Sequence, residues 1–220
     1  MLKILYEDNH LIAVNKKSGD LAQGDKTGDT PLSEDIKKYI KKQYNKPGNI
    51  FLGTIHRLDR PTSGVLLYAK TSKALSRMNE QFRCNKVKKI YWAVVNNPPP
   101  NKSGKLENYL KKNQAQNKSY VVDQQKGKHA ILHYKILNKL TNFYHLEIQP
   151  KTGRHHQIRV QLSNIGCIIK GDLKYGSKRS NKDGSINLFA YSMEFIHPIK
   201  KESIKIKAPI PKGKIWESCI

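Results

Sequence analysis

The sequence predicts an α+β fold with a mixed, largely antiparallel sheet. Short runs rich in β-branched and aromatic residues recur from the first residues to about residue 208, whereas only three segments show helical periodicity. The helical segments do not alternate regularly with the strands, as they would in a parallel α/β sheet.

The first predicted elements are two short strands and a helix. L-K-I-L-Y-E and L-I-A-V-N-K predict strands around a turn at residues 8–9, and residues 16–29 predict a loop because they carry three glycines. Thr30 as N-cap and Pro31 in the first turn predict a helix that runs to about Tyr44. Its apolar positions follow the helical period and are Leu32, Ile36, Tyr39 and Ile40.

The next segment predicts a strand, a second helix and a central strand. Residues 65–69 are an apolar run typical of a buried strand, and Ser72 is the expected cap of an amphipathic helix. K-K-I-Y-W-A-V-V-N-N at residues 88–97 combines β-branched and aromatic residues, which favours a central strand.

The last third of the chain predicts a hairpin, a third helix and three short strands. The hairpin covers residues 129–149 with its turn at N-K-L-T-N, and the helix follows a Thr-Gly turn and ends at Gly166. The strands are expected at residues 167–170, 188–196 and 203–208.

The charge of the chain points to a polyanionic partner. Lys and Arg number 41 and Asp and Glu number 17, which gives a formal net charge of +24. Nucleic acid is the commonest partner of so basic a protein. A bland alternative is lysine drift in an AT-rich genome, but drift exchanges Arg for Lys and does not explain so few acids.

The cysteines and the N-terminus predict a protein of the reducing cytosol. The three cysteines form no C-x-x-C pair, and acidic residues 7–8 stand where a signal peptide needs an apolar run. No stretch of eighteen apolar residues occurs, so we expect no membrane span.

The motif search finds no support for a metal or a nucleotide cofactor. His129 and His133 lie in a predicted strand without a third ligand, and His155 and His156 are adjacent in sequence. The glycine-rich loop lacks the spacing of a phosphate-binding loop. The sequence therefore predicts no metal site.

One carboxylate stands out in T-I-H-R-L-D-R-P-T-S-G at residues 54–64. Asp59 lies between Arg57 and Arg60, which favour its ionised form, and an ionised carboxylate suits a nucleophile or a general base. From these residues alone, an ion pair on the surface or a turn cap is the favoured interpretation.

A second polar cluster is T-G-R-H-H-Q-I-R at residues 152–159. The Thr-Gly turn places Arg154 at the positive end of a helix, where an anion could bind. Arg159 is expected on a different part of the surface. The common alternative to an anion site is a helix N-terminus at which Arg154 and Arg159 are simply solvated.

Together and in order, these motifs resemble those of the RluA-type family of RNA pseudouridine synthases. The resemblance rests on H-R-L-D-R-P-T-S-G, K-I-Y-W-A-V-V, T-G-R-H-H-Q-I-R-V-Q-L, G-D-L-K-Y-G and L-F-A-Y-S-M-E-F-I-H-P, and it covers nearly the whole chain. It implies a pseudouridine-synthase-like sheet with flanking helices and a central RNA-binding cleft. It also implies isomerisation of chosen uridines in ribosomal or transfer RNA.

The resemblance assigns roles to seven residues. It implies Asp59 as the catalytic aspartate, Arg154 as its charge partner and Tyr91 as the aromatic residue against the target base. The target uridine must leave the RNA stack to be reached. The implied substrate-binding residues are Arg57, Leu188, His56 and Thr62.

The resemblance further implies a redox-neutral reaction without cofactor or metal. Residues 1–220 are expected to form a single catalytic domain without the family's appended N-terminal RNA-binding module, and to act as a cytoplasmic monomer without an obligatory protein partner. Two departures from the family pattern are Lys17, which replaces a proline, and Phe189, which replaces a histidine.

Two rival functions remain open at this point. One is a catalytically inactive RNA-binding protein of the same fold, and the intact aspartate, tyrosine and arginine argue against it. The other is an unrelated carboxylate-dependent hydrolase, which would need a second acid or a metal cluster.

Overall fold

The computed structural model describes residues 2–24 and 28–220, so residues 25–27 of the predicted loop lie outside the described residues. Over the described residues the chain forms eleven strands and four helices. It divides into two compact units. The first comprises Met1–Lys88 and Ala190–Pro209, and the second comprises Lys89–Phe189 and Ile210–Ile220.

The first unit combines strands from both ends of the chain with two helices. Its elements are β1 (Ile4–Glu7), β2 (Leu11–Lys16), α1 (Leu32–Gln43), β3 (Gly53–Thr54), β4 (Ser63–Ala69), α2 (Ser72–Arg83), β10 (Leu188–Ile196, from Ala190 onward) and β11 (Ser203–Lys207). Strands β1, β2, β4 and β10 follow one another across its sheet, with β3 beside β4 and β11 beside β10. The pairings of β1 with β2, β2 with β4, β3 with β4 and β10 with β11 are antiparallel.

The core of the first unit contains apolar residues of two strands and of its two helices. Residues 11–14 of β2 and 65–69 of β4 are almost completely buried. Ile36 and Ile40 of α1 and Met78 of α2 are also buried, as expected from their helical spacing.

The two helix starts differ in detail from the prediction. Pro31, and not Thr30, occupies the N-cap position of α1, and no side chain of the described residues caps that helix. Thr71, and not Ser72, caps α2, because its hydroxyl accepts a hydrogen bond of 3.2 Å from the backbone N–H of Ala74. Both helices nevertheless cover the predicted segments.

The second unit is built on a five-stranded antiparallel sheet. Its elements are β5 (Lys88–Val95), β6 (Ser103–Asn113), β7 (Lys118–Val122), β8 (Lys128–Lys139), β9 (Tyr144–Pro150), α3 (Gln157–Asn164) and α4 (Lys214–Glu217). The strand order is β5-β9-β8-β6-β7. All four neighbouring pairs are antiparallel. The predicted α+β class with a largely antiparallel sheet is confirmed.

The sequence analysis missed the strands β6 and β7. The residues of β6 are mostly exposed and polar, and β7 is only five residues long, so neither shows a clear apolar alternation from which a strand is recognised. They are held instead by long antiparallel pairing, from Ser103 opposite Lys135 to Leu110 opposite Lys128. The strand predicted at residues 167–170 is absent as a named strand, and only an isolated bridge joins Ile169 to Val95.

Candidate active site

The backbone around Asp59 forms a closed turn in the first unit. Asp59 lies between β3 and β4 with its side chain half-buried, and its carbonyl oxygen accepts a hydrogen bond of 3.0 Å from the backbone N–H of Thr62. This bond closes a four-residue β-turn immediately before the buried strand β4. The position of Asp59 is therefore tied to the core of the unit.

A buried lysine holds this turn from below. Lys16, at the end of β2, is completely buried, and its ammonium donates hydrogen bonds to the carbonyl oxygens of Lys17 (3.0 Å), Arg60 (3.0 Å) and Thr62 (2.7 Å). The three bonds use all three donors of the ammonium group. A charged side chain buried in this way requires such a complete set of acceptors.

The charge of Lys16 is coupled to that of Asp59. Burial lowers the pKa of Lys16 to about 8, while the carboxylates of Asp20 and Asp59 act in the opposite direction and favour the charged ammonium. Asp59 therefore has a cation of its own unit close enough to interact with electrostatically. Lys16 was not among the predicted site residues, although period-2 alternation along β2 places it on the same face as Ile12 and Val14.

The loop after β2 and the Asp59 turn are joined by further hydrogen bonds. The backbone N–H of Gly19 donates to the carbonyl oxygen of Arg60 (2.9 Å), and the hydroxyl of Ser18 donates to that of Pro61 (3.2 Å). The guanidinium of Arg60 returns a bond of 3.1 Å to the carbonyl oxygen of Gly19 and pairs with Asp29 at 2.8 Å. The two loops thus form one cross-linked structure.

The first departure from the family pattern fits into this structure. The backbone N–H of Lys17 donates a hydrogen bond of 3.0 Å to a carboxylate oxygen of Asp20, which a proline at this position could not do. In the loop after β2, this hydrogen bond supplies a restraint that a proline would supply through its fixed φ angle.

The glycine at the end of the H-R-L-D-R-P-T-S-G motif is required by space. Gly64 has a φ of +118°, and a Cβ atom added there would lie 2.2 Å from the carbonyl oxygen of Ala190 on β10. Both the backbone angle and the close approach therefore exclude a side chain. Only glycine at position 64 allows β4 to follow the Asp59 turn with this backbone conformation.

The other predicted residues of the first unit have different environments. His56 accepts a hydrogen bond of 3.1 Å at Nε2 from the backbone N–H of Leu67, and its ring stacks on Phe82 with centroids 5.2 Å apart. Arg57 is exposed, whereas Thr62 is only 2% exposed. Thr62 contributes its backbone to the turn, and its hydroxyl oxygen has no hydrogen-bond partner within the described part of the chain.

Tyr91 and Leu188 belong to the core region of the second unit. Tyr91 lies on β5 opposite Ile148 of β9, and its half-buried side chain packs against the core cluster of the unit. Leu188 is a member of that cluster and is 4% exposed. Phe189, the second departure from the family pattern, is completely buried with its ring edge-on to Trp92 and Trp216.

Arg154 is held by its backbone and by its Nε atom at the start of α3. Its backbone N–H donates to the side-chain oxygen of Gln157 (3.0 Å), and its Nε donates to the carbonyl oxygen of His129 (2.8 Å). Gln157 is buried and also bonds Thr152 (2.7 Å) and the carbonyl oxygen of Ile131 on β8 (3.0 Å). Arg154 is exposed but anchored to the sheet through this amide, which the sequence analysis did not identify.

The prediction for Arg159 was wrong. Arg159 is not on the surface but 5% exposed, and it binds Asp172 in a bidentate pair with distances of 2.7 and 2.8 Å. Residues 159 and 172 lie in two of the family motifs, so the pair links the third helix to the G-D-L-K-Y-G segment. This segment is therefore fixed by a buried ion pair.

His156 adopts an unusual backbone conformation just before α3. Its φ of +53° lies in the left-handed region, and its side chain is buried against the hydroxyl of Tyr175 at 3.0 Å. Burial, reinforced by the nearby charge of Arg159, lowers the pKa of His156 to about 2. The imidazole is therefore neutral at physiological pH and forms part of the support under the Arg154 turn.

Metal-binding clusters and membrane-spanning helices are both absent from the described part of the chain. Residues 2–24 and 28–220 contain no group of three or more His, Cys, Asp or Glu side chains that could hold a metal ion. No helix in these same ranges is long and apolar enough to cross a membrane.

Comparisons with known proteins identify the class of protein. Residues 10–164 match the family model described as RNA pseudouridylate synthase. The chain is 38% identical over 216 residues to the ribosomal large subunit pseudouridine synthase C of Buchnera aphidicola subsp. Acyrthosiphon pisum, covering 94% of this chain and 67% of the relative. It is 30% identical to the ribosomal large subunit pseudouridine synthase D of Zymomonas mobilis, covering 96% of this chain and 70% of the relative.

Solved structures show the same fold. Human RNA Pseudouridylate Synthase Domain Containing 4 superposes with a TM-score of 0.80 at 22% identity, covering 99% of this chain and 91% of the human chain. Human RNA Pseudouridylate Synthase Domain Containing 1 superposes with a TM-score of 0.74 at 22% identity, covering 100% and 87%.

The fold and the sequence matches define an RNA-modifying isomerase. The chain belongs to the RNA pseudouridylate synthase family. It spans about two thirds of the length of several curated relatives that it matches.

Proposed function

We propose that this chain converts uridine in ribosomal RNA into pseudouridine, with Asp59 as the catalytic carboxylate. Support for ribosomal RNA comes from the relatives, which carry the name ribosomal large subunit pseudouridine synthase. Support for Asp59 comes from the residues around it. Asp59 also lies within the segment that matches the family model.

One observation carries the assignment of Asp59. Its turn is fastened by the three hydrogen bonds of the buried Lys16 ammonium to carbonyl oxygens of Lys17, Arg60 and Thr62. An acid that served only as a surface ion pair would not require a buried charge beneath its backbone. A catalytic carboxylate does require a fixed position, because small displacements from the reacting geometry cost large factors in rate.

The proposed reaction is an isomerisation that needs no external reactant. The bond between N1 of uracil and C1′ of ribose breaks, and a bond between C5 and C1′ forms. C5 then loses its hydrogen as a proton, and N1 gains a proton. An ionised carboxylate serves such a reaction as nucleophile or as base.

The remaining predicted residues are proposed to bind the substrate. Tyr91 offers an aromatic face to the uracil ring, which offsets part of the stacking that the uridine loses when it leaves the RNA. Arg154 supplies positive charge to balance the carboxylate. Arg57 contacts the RNA strand that the uridine has left, and the supporting positions are Leu188, His56 and Thr62.

We also propose that residues 1–220 act as one catalytic domain and as a monomer in the cytoplasm. The family motifs are distributed over both compact units, which supports a joint function. Cys84, Cys167 and Cys219 are free thiols, as is usual in a reducing compartment.

Release of tritium from RNA tests the proposed function. Large-subunit ribosomal RNA labelled at C5 of uridine, transcribed without modifications, is incubated with the protein, and labelled transfer RNA is treated in parallel. We expect release from the ribosomal RNA only, up to one tritium per target uridine. Release from transfer RNA alone would overturn the proposed substrate. Binding without release from either RNA would instead support the catalytically inactive RNA-binding protein.

A further inference from the structure

A basic surface with two exposed aromatic rings lies on the first unit, formed by residues outside the family motifs quoted above. It is formed by the second half of α1 and the loop that follows. Residues 36–51 contain no acidic residue, and four lysines in this range are exposed. We call this region the α1 surface and define it by Lys38, Lys41, Lys42, Tyr44, Lys46 and Phe51.

The two aromatic rings are unusually exposed for their size. Tyr44 is 47% exposed and Phe51 is 48% exposed. An apolar ring in water forgoes the free energy that burial would give it. Solvation alone explains an exposed face of lysines, but it does not explain exposed aromatic rings among them. Exposed aromatic residues interleaved with lysines are typical of surfaces that bind nucleic acid.

Tyr44 is held in place by an anionic residue beneath it. Its hydroxyl donates a hydrogen bond of 3.0 Å to Glu7, and Glu7 forms an ion pair of 2.6 Å with Lys70. The Lys70 ammonium lies 4.7 Å from the centre of the Tyr44 ring, and Tyr39 donates a further bond to Glu7. Burial disfavours ionisation of Glu7, but these hydrogen bonds outweigh it and lower its pKa, so the anchor stays charged.

Phe51 leaves the sheet beside the same anchor. It precedes β3 by two residues, and Gly53 of β3 pairs with Ala69 of β4. Because this pairing is antiparallel, the chain before Gly53 runs toward the end of β4 that continues into Lys70. Phe51 therefore precedes β3 on the side of β4 that leads to Lys70, whose ammonium lies against the Tyr44 ring.

We propose that the α1 surface binds a single-stranded segment of the RNA substrate outside the reacting uridine. The lysines neutralise phosphates, and the rings stack on bases without regard to sequence. This inference rests on the proposed function for the identity of RNA as the substrate. It adds a contact that increases affinity but takes no part in the reaction.

A pair of charge-matched variants tests the lysines. Lys41→Gln/Lys42→Gln alters the α1 surface, and Lys205→Gln/Lys207→Gln alters two exposed lysines of β11 in the same unit, so that both variants lower the formal net charge from +24 to +22. Binding is measured between 50 and about 300 mM salt with a fluorescent 12-nucleotide RNA of adenosine and cytidine, which has no uridine to react.

We expect the α1 variant alone to weaken binding, by roughly three- to tenfold, and to reduce the slope of log K against log salt by about 1.4. Equal effects of the two variants would overturn the inference. Weakened binding to phosphatidylserine vesicles with unchanged RNA binding would overturn it as well, because the surface would then bind lipid.

A second comparison tests the rings and separates this inference from the proposed function. Phe51→Ala should weaken binding of the same RNA about tenfold, and Phe51→Tyr should restore it because the ring remains. With labelled ribosomal RNA, the variants Lys41→Gln/Lys42→Gln and Phe51→Ala should have a raised KM and an unchanged kcat. Absence of tritium release from the wild-type protein would end the proposed function, while the RNA-binding comparison would still decide the inference.

Discussion

The ammonium of Lys16 donates a hydrogen bond of 2.7 Å to the carbonyl oxygen of Thr62, which lies 46 residues further along the chain. Lys16 ends β2, and Thr62 ends the turn that carries Asp59. The bond therefore fixes the proposed catalytic carboxylate relative to a completely buried strand. It also explains why a lysine, normally an exposed residue, is fully buried here.

Lys16→Met should destabilise the first unit and impair the reaction. The substitution keeps most of the side-chain volume but leaves the carbonyl oxygens of Arg60 and Thr62 without their shared donor. We expect the free energy of unfolding to fall by about 3 kcal/mol. Because the Asp59 turn loosens, we expect kcat for tritium release to fall about ten- to a hundredfold at a temperature where the variant is folded.

Urea unfolding and single-turnover kinetics measure these two effects. Lys17→Met is the control, because Lys17 is exposed and its backbone bond to Asp20 is unchanged by the substitution, so its stability should stay within about 0.5 kcal/mol. Unchanged kcat in folded Lys16→Met would show that Lys16 does not position Asp59.

The buried pair of Arg159 and Asp172 should behave non-additively. Arg159→Met leaves a carboxylate that is only 1% exposed without its partner, and Asp172→Leu leaves the guanidinium. Each single change should cost about 3–5 kcal/mol, whereas the double variant should recover most of that loss. A double-mutant cycle from urea unfolding measures the coupling. Additive losses would mean that the pair is not a unit.

Stability should fall in mild acid because of buried histidines. Burial lowers the pKa of His145 from its ordinary 6.5 to about 4, and that of His156 to about 2. Below pH 6.5 the unfolded chain therefore binds protons that the folded chain does not bind. The free energy of unfolding should decrease by about 1.4 kcal/mol per pH unit for each histidine as the pH falls from 6.5 toward 4.

The variant His145→Leu isolates one of these contributions. Its free energy of unfolding at pH 7 will differ from wild type because the packing against Trp92 changes. Between pH 6 and pH 5, however, its loss of stability should be smaller by about 1.4 kcal/mol. The free energy of unfolding is measured by denaturant titration at several pH values. If it changes with pH in the variant as it does in wild type, the assigned pKa of His145 is contradicted.

The spacing of apolar residues predicted most of the helices and strands. It did not predict the strands whose residues lack a regular apolar spacing. The helices α1 and α2 and the strand β10 were predicted because apolar residues recur at the spacing that faces a core. The strands β6 and β7 were not predicted because β6 is mostly exposed and polar and β7 has only five residues, so their pairing with each other and with β8 is not visible in a local apolar pattern. The helix starts were displaced by one position: Thr71 caps α2 beside the equally suited Ser72, whereas Pro31 occupies the N-cap position of α1 without a side-chain cap hydrogen bond among the described residues.

The site was predictable as a set of motifs but not as a structure. Asp59, Arg154 and Tyr91 were singled out by their motifs. The residues that hold them could not be recognised in the same way, because Lys16 and Gln157 act through backbone carbonyl and amide groups that the sequence does not reveal. Arg159 was misplaced for a related reason. Its partner Asp172 is thirteen residues further along the chain, and the sequence does not show that the two side chains are in contact.

Asp59 is the residue proposed to perform the chemistry. Asp59→Asn keeps the shape of the side chain and the backbone turn but removes the carboxylate. Asp20→Asn is the matched control, because Asp20 lies in the adjoining loop, also interacts with the charge of Lys16, and keeps an oxygen that can accept the bond from Lys17.

The most direct measurement is single-turnover release of tritium from C5-labelled ribosomal RNA, with RNA affinity measured in parallel. We predict that Asp59→Asn lowers the rate at least about a thousandfold with RNA affinity unchanged within about threefold, and that Asp20→Asn stays within about tenfold of wild type. Release by folded Asp59→Asn at a rate within about tenfold of wild type would show that Asp59 is not the catalytic carboxylate.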